Sequence, residues 1–187
     1  MLSRTHDIGA FAALLSVAAY YSPSHLGPAT VIVALIANIV GALLPDADQA
    51  SNRLWSMLPG GNFLGRYLRR IFISHRTLSH SLLGVFIIYK LNYWLIFKLF
   101  NPVFVDAQII FDALMIGYLS HLILDGLTEE GVPLLFPLTW KFGFPLIKSW
   151  RIKTGHWFEN WIIFPGISLF ILYLLFVNWS VYLKAIY

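Results

Sequence analysis

Residues 161–183 read WIIFPGISLFILYLLFVNWSVYL, a run without one charged side chain. As a helix it would rise about 34 Å, enough to cross a hydrocarbon core of about 30 Å. That stretch decides the solvent, and the rest of the chain agrees with it. At 58% hydrophobic, 12% charged and a mean hydropathy of +0.71, the composition is not that of a water-soluble domain. A single helical bundle in lipid uses nearly all of the 187 residues, so residues 1–187 read as one integral-membrane domain.

Working outward, four more apolar stretches stand at 8–21, 28–44, 82–100 and 103–124. The fold class is therefore all-α: a polytopic membrane helical bundle of about five spans. The first stretch is short, and Arg4 with Ala18 and Ala19 gives it some likeness to a secretory signal, but Asp7 sits badly in a basic leader. Between the second and third stretches, Pro59-Gly60-Gly61 breaks the chain. Beyond the break, Phe63, Leu64, Tyr67, Leu68, Ile71 and Phe72 recur at helical spacing opposite Arg66, Arg69 and Arg70. This pattern predicts an amphipathic helix over 62–74, lying in the interface. Residues 140–157 mix Trp, Phe, Lys and Arg with Gly143 and Pro145, as an irregular interfacial segment does.

A net charge of +4 and a pI near 9.4 raise the question of nucleic acid. The basic residues, however, sit between the apolar stretches rather than on a tail or a helix face, so no nucleic-acid partner is expected. They are topology signals. Arg4, Arg53, Arg66, Arg69, Arg70, Arg76, Lys141, Lys148, Arg151 and Lys153 fall on the side of the N-terminus, while the opposite connections, 22–27 and 101–102, hold no Lys or Arg. The loaded side, with the N-terminus, reads as the cytoplasmic face of the cell membrane.

The chemistry-bearing residues gather on that same side. His6 and Asp7 begin the first stretch, Asp46 and Asp48 end the second, and His75, Arg76 and His80 precede the third. His121 and Asp125 end the fourth, and His156 and Glu159 precede the fifth; His25 alone among the six histidines falls on the far side and reads as a non-ligand. His121 and Asp125 are four apart on a helix, so both reach one ion or two adjacent ions. Asp46 and Asp48 follow Pro45, where a non-helical backbone can turn both carboxylates one way. A regular helix would splay His75 and His80 by about 140°, so a helix start between them is expected, with Ser79 able to cap it. With no cysteine in the chain, any metal is held by nitrogen and oxygen, a donor set that suits zinc or manganese better than calcium.

Taken singly, a histidine at the interface is ordinarily an interfacial polar residue, and an Asp after proline is ordinarily a turn residue. What lifts the set is that five separate segments each deliver such a group, although ionisable groups near a membrane are costly unless paired or functional. Arg76, between the candidate ligands, can serve topology or meet an anionic phosphate oxygen. Glu129 and Glu130 read as solvated loop charges, with a general base as the lesser alternative. Lys90 and Asp112 lie about 14 Å inward from the histidines and are expected to pair with each other.

Leu44-Pro45-Asp46-Ala47-Asp48 with Ser51, His75-Arg76-Thr77-Leu78-Ser79-His80-Ser81, and the run from Leu124-Asp125 through Leu127-Thr128 and Gly131-Val132-Pro133 to Phe136-Pro137 resemble the YdjM-like membrane-bound metal-dependent hydrolases. Thr154-Gly155 and then Glu159 resemble that family's last motif, which favours Glu159 over His156 as a site residue. Gln49 departs from the family, which often has His there, and Thr77 and Ser79 replace its usual Gly and Thr. The family is in turn similar to the zinc-dependent phospholipase C and P1 nuclease group, whose ligand order His, Asp, His, His-x-x-x-Asp is followed here by His6, Asp46 or Asp48, His75 or His80, and His121 with Asp125.

Spacing and resemblance together imply a metal set of His6, Asp46, Asp48, His75, His80, His121, Asp125 and Glu159, holding two or three zinc ions, or manganese. Arg76, Asp48 and Glu159 are the implied catalytic residues. The implied reaction is hydrolysis of a phosphoester in a membrane lipid or lipid-linked substrate by a metal-activated water. A transporter would place ionisable groups through the midplane, and no H-E-x-x-H peptidase motif occurs. A non-catalytic metal-binding membrane protein stays open as the alternative.

Overall fold

In lipid an apolar stretch can satisfy its backbone only within itself, and the chain obeys this. The computed structural model describes residues 1–47, 53–57, 78–138 and 140–186, and among these it is helical with no strands. Asp48, Gln49, His75, Arg76, Thr77 and the expected amphipathic helix at 62–74 lie outside the described residues. Among the described residues seven α-helices follow in order: α1 (Ser3–Tyr21), α2 (Pro28–Leu43), α3 (Arg53–Met57), α4 (Leu82–Leu99), α5 (Ala107–Gly126), α6 (Phe164–Val177) and α7 (Trp179–Ile186).

Among the described residues three stretches are long and apolar enough to cross a membrane: Leu82–Leu99, Ala107–Gly126 and Glu159–Val177, the last opening with a π-helical turn at Glu159–Ile163. The sequence leads one to expect about five. α2 is apolar but has 16 residues, about 24 Å, and the first turns of α1 carry Arg4, His6 and Asp7. The run at 161–183 is also divided. Asn178 turns its side-chain amide back onto the Leu174 carbonyl at 3.2 Å, ending α6, and α7 sets off from Trp179.

Local chemistry fixes the helix starts. The Asp106 carboxylate accepts from the Gln108 and Ile109 amides at 2.9 and 3.2 Å, so α5 begins at Ala107 rather than near Val103. α4 is capped by Ser81, whose hydroxyl accepts from Gly84 N at 3.0 Å, and not by Ser79. α2 and α5 pack with their backbones almost touching. A Cβ on Gly41 would stand 2.0 Å from the Leu114 carbonyl oxygen, and one on Gly117 would stand 2.1 Å from that of Asn38. The buried Asn38 amide donates to Ala113 O across the same seam at 3.0 Å. The apolar core around Ile110, Phe111, Leu114, Tyr118 and Leu122 extends to Ile96 of α4.

Between α5 and α6 the chain folds over the end of the bundle. Val132 and Phe142 exchange backbone hydrogen bonds at 2.8 Å, Glu129 N donates to Ile152 O at 3.1 Å, and the Arg151 guanidinium donates to the carbonyls of Pro145 and Gly143. Trp140, Phe144, Trp150 and Trp157 stay exposed on this cap, as an interfacial aromatic belt does.

Candidate metal centre

The starts of α1, α4 and the π-helical turn meet the ends of α2 and α5 at one end of the bundle. Four of these ends supply the cluster. His6 comes from the second turn of α1, Asp46 from the turn after α2, His80 from the turn before α4, and His121 and Asp125 from the last turns of α5. His6, His80, His121 and Asp125 are almost wholly buried, whereas the Asp46 side chain keeps 27% of its surface open.

Orientation of the imidazoles comes from their other nitrogen. His121 Nδ1 lies 2.7 Å from the Ala42 carbonyl, one of the last four carbonyls of α2 and so left over by helix geometry. A carbonyl only accepts, so Nδ1 carries the proton and the Nε2 lone pair faces the site. His80 Nδ1 stands 3.1 Å from Ser79 Oγ, and the turn that bears it is held by the Tyr118 hydroxyl donating to the Ser79 carbonyl. Burial lowers the pKa of His80 below its ordinary 6.5, keeping it neutral at pH 7 and able to ligate.

The facing atoms are spaced as ligands rather than as hydrogen-bond partners. His80 Nε2 lies 3.5 Å from Asp125 Oδ2 and 3.7 Å from Asp46 Oδ1; His121 Nε2 lies 3.6 Å from Asp125 Oδ2 and 3.8 Å from Asp46 Oδ2. Hydrogen bonds are shorter, while donor atoms around a tetrahedral ion with bonds near 2.05 Å sit roughly 3.3 Å apart. His121 Nε2 and Asp46 Oδ1 are buried with no hydrogen-bond partner among the described residues. The other Asp125 oxygen turns toward His6 Nε2 at 3.2 Å and the Met1 amino group at 2.7 Å, and the rings of His6 and His121 stack at 3.7 Å. Among the described residues two ligand groups result, His6 with His121 and Asp125, and Asp46 with His80 and His121, each with its donor atoms within 4.8 Å of one another. Buried Asp125 and partly open Asp46 carry two negative charges, of which the Met1 ammonium offsets one, and the negative charge that remains beside the imidazole nitrogens is one that a cation would balance, so the residues fit such an ion.

Five expected metal residues, His6, Asp46, His80, His121 and Asp125, are thus brought together. Glu159 is not among them. It is fully buried, and its two oxygens accept from Leu2 N and Gly155 N, each at 2.7 Å, which fixes the start of α1 against the π-helical turn. His156 is exposed, and the His25 backbone amide donates to Lys184 O of α7. Asp48, His75 and Arg76 lie outside the described residues. Sequence reasoning missed Tyr118 and the Ala42 carbonyl; the one signal for Tyr118 was its place one turn before His121.

The sequence profile of the YdjM inner membrane protein family matches residues 1–187. The chain belongs to that family. Family relatives include the Bacillus subtilis (strain 168) "Uncharacterized protein YvsG", 32% identical over 169 residues, which is 90% of this chain and 91% of that protein. The "Inner membrane protein YdjM" of Escherichia coli (strain K12) is 34% identical over 124 residues, 66% of this chain and 58% of that protein, and the Shigella flexneri protein of that name matches equally. No solved structure matches. With its family and its apolar helices, the chain is a membrane protein that carries residue groups able to bind a metal ion.

Proposed function

We propose that the chain is a metal-dependent hydrolase at the membrane surface, cleaving a phosphoester of a lipid or lipid-linked substrate on the cytoplasmic face. The observation that carries this reading is the convergence of His6, Asp46, His80, His121 and Asp125 from four helix ends, with donor atoms spaced as around an ion. Zinc suits the imidazole-rich set, with manganese as the alternative. Such an ion, held by these five residues, would supply Lewis acidity and lower the pKa of a water in its open position.

The chain's own groups do the rest. Asp46 is the partly open edge of the site, where substrate can approach. The Ala42 carbonyl holds the tautomer of His121, the Ser79 hydroxyl hydrogen-bonds His80 Nδ1, and Glu159 positions the helix that bears His6. Arg76, within the same sequence motif as His80, would offset negative charge developing on phosphate oxygens. Orientation toward the cytoplasm rests on the Lys and Arg residues that flank the site end.

The test is release of inorganic phosphate or head group from mixed lipid micelles by the detergent-purified protein. Activity should disappear with a chelator, return with zinc or manganese, and be absent from a variant carrying His121→Ala and Asp125→Ala. One observation favours a second reading: four of the five ligands are nearly closed to solvent, as in structural sites. Metal-loaded protein that releases nothing from any lipid class would establish that non-catalytic reading.

A further inference from the structure

Two charges stand far from the metal centre, in the apolar middle of the bundle. Lys90 is midway along α4 and Asp112 is in the second turn of α5, and both are exposed. They are expected from sequence to pair with each other, and they do not. The Lys90 ammonium lies over the Phe86 ring of its own helix at 5.7 Å, and the Asp112 carboxylate accepts from Gln108 of its own helix at 2.8 Å. The physical reason is direction. The helices meet through Tyr89 and Tyr93 against Phe111, and both charges point away from that seam.

They point away on the same side and at the same depth. Lys90 follows Tyr89 and Asp112 follows Phe111, each by about 100° of helix rotation, and because α4 and α5 run antiparallel the two rotations carry both charges to the same flank of the seam. Because Tyr89 and Tyr93 both touch Phe111, Lys90 and Asp112 lie within about one helical turn of each other along the membrane normal. In hydrocarbon, unpaired opposite charges are costly, and side chains of that kind face a protein interior or a partner.

We propose that two copies of the chain associate in the bilayer about a two-fold axis along the membrane normal, with Lys90 of each copy paired to Asp112 of the other. A rotation about that axis keeps depth unchanged, so it brings each cation level with the opposite anion, and one operation satisfies all four charges. The surface is complementary to itself. Phe86 and Phe97 on α4 and Leu119 and Ile123 on α5 continue the exposed stripes above and below the charges and would pack around them. The proposal does not depend on the metal centre or on its chemistry.

The chain has no cysteine, so an introduced pair reports without background. Full-length chains with different tags, one carrying Lys90→Cys and the other Asp112→Cys, would be co-expressed and oxidised in the membrane with copper phenanthroline. A heterodimer linked by one disulfide should form, and its other ion pair, Asp112 of the first chain with Lys90 of the second, remains intact to hold it. A chain carrying Ile36→Cys on the exposed face of α2 should give no link to Asp112→Cys. In otherwise unaltered chains, Lys90→Asp or Asp112→Lys alone should lower the dimer fraction about tenfold, and the two together in one chain should restore it. The proposal is overturned if no heterodimer links, if Lys90→Cys links to itself as efficiently as to Asp112→Cys, if Asp112→Cys links only to a different protein, or if the double reversal fails to restore association in protein that still reaches the membrane.

Discussion

His121 shows how one side chain is given a task by its surroundings. Its Nδ1 proton is committed to a leftover helix carbonyl, so only Nε2 faces Asp46 and Asp125. Tyr118→Phe should remove the bond that holds the His80 turn, cost about 1 kcal/mol, and weaken metal binding about tenfold or more, read by competition with a chromogenic chelator. Glu159→Gln separates two roles for a residue that sequence motifs place among the ligands. As a clamp on two amides it should lower the melting temperature, losing about 1.5–3 kcal/mol of charge-assisted bonding, with metal content unchanged. Loss of metal from folded Glu159→Gln protein would instead make it a ligand. The His-x-x-x-Asp spacing was legible because helix periodicity alone puts both side chains on one face. The use of the Glu159 oxygens was not, because amides such as those of Leu2 and Gly155 leave no trace in residue identity.

Helices are placed by close backbone approach at α2 and α5, and this is where the sequence was least informative. A glycine in an apolar stretch gives no hint of which carbonyl it faces, yet Gly41 and Gly117 set the rotation that brings His121 to Ala42. Gly117→Ala should therefore destabilise the protein by about 1–3 kcal/mol and reduce metal retention as well, measured by thermal melting in detergent followed by metal analysis. Gly166→Ala in α6 meets nothing within 4 Å among the described residues and is the control. It should be neutral or stabilising by up to about 1 kcal/mol, because only helix propensity changes. Helix boundaries shifted for reasons of the same kind. Asp106 and Ser81 cap helices through their side-chain oxygens, and Asn178 stops α6 inside a run that hydropathy alone reads as continuous.

At the scale of the molecule, four helix ends share one polar cluster, so metal and bundle stability are linked. Hydropathy and charge counting placed that cluster at one end of the helices. They could not show that Asp125 faces both ligand groups at once, because that depends on how α1, α2, α4 and α5 are arranged around it. Chelation should lower the melting temperature, and free metal at about a hundred times its dissociation constant should restore about 2.7 kcal/mol. The most direct measurement is the metal content of detergent-purified protein, determined beside the variant carrying His121→Ala and Asp125→Ala. About one to three zinc or manganese ions per chain are expected in the first and none in the second, with both still helical by circular dichroism. Protein that is folded and monodisperse but carries no metal, and takes up none when zinc or manganese is supplied, would contradict the metal centre.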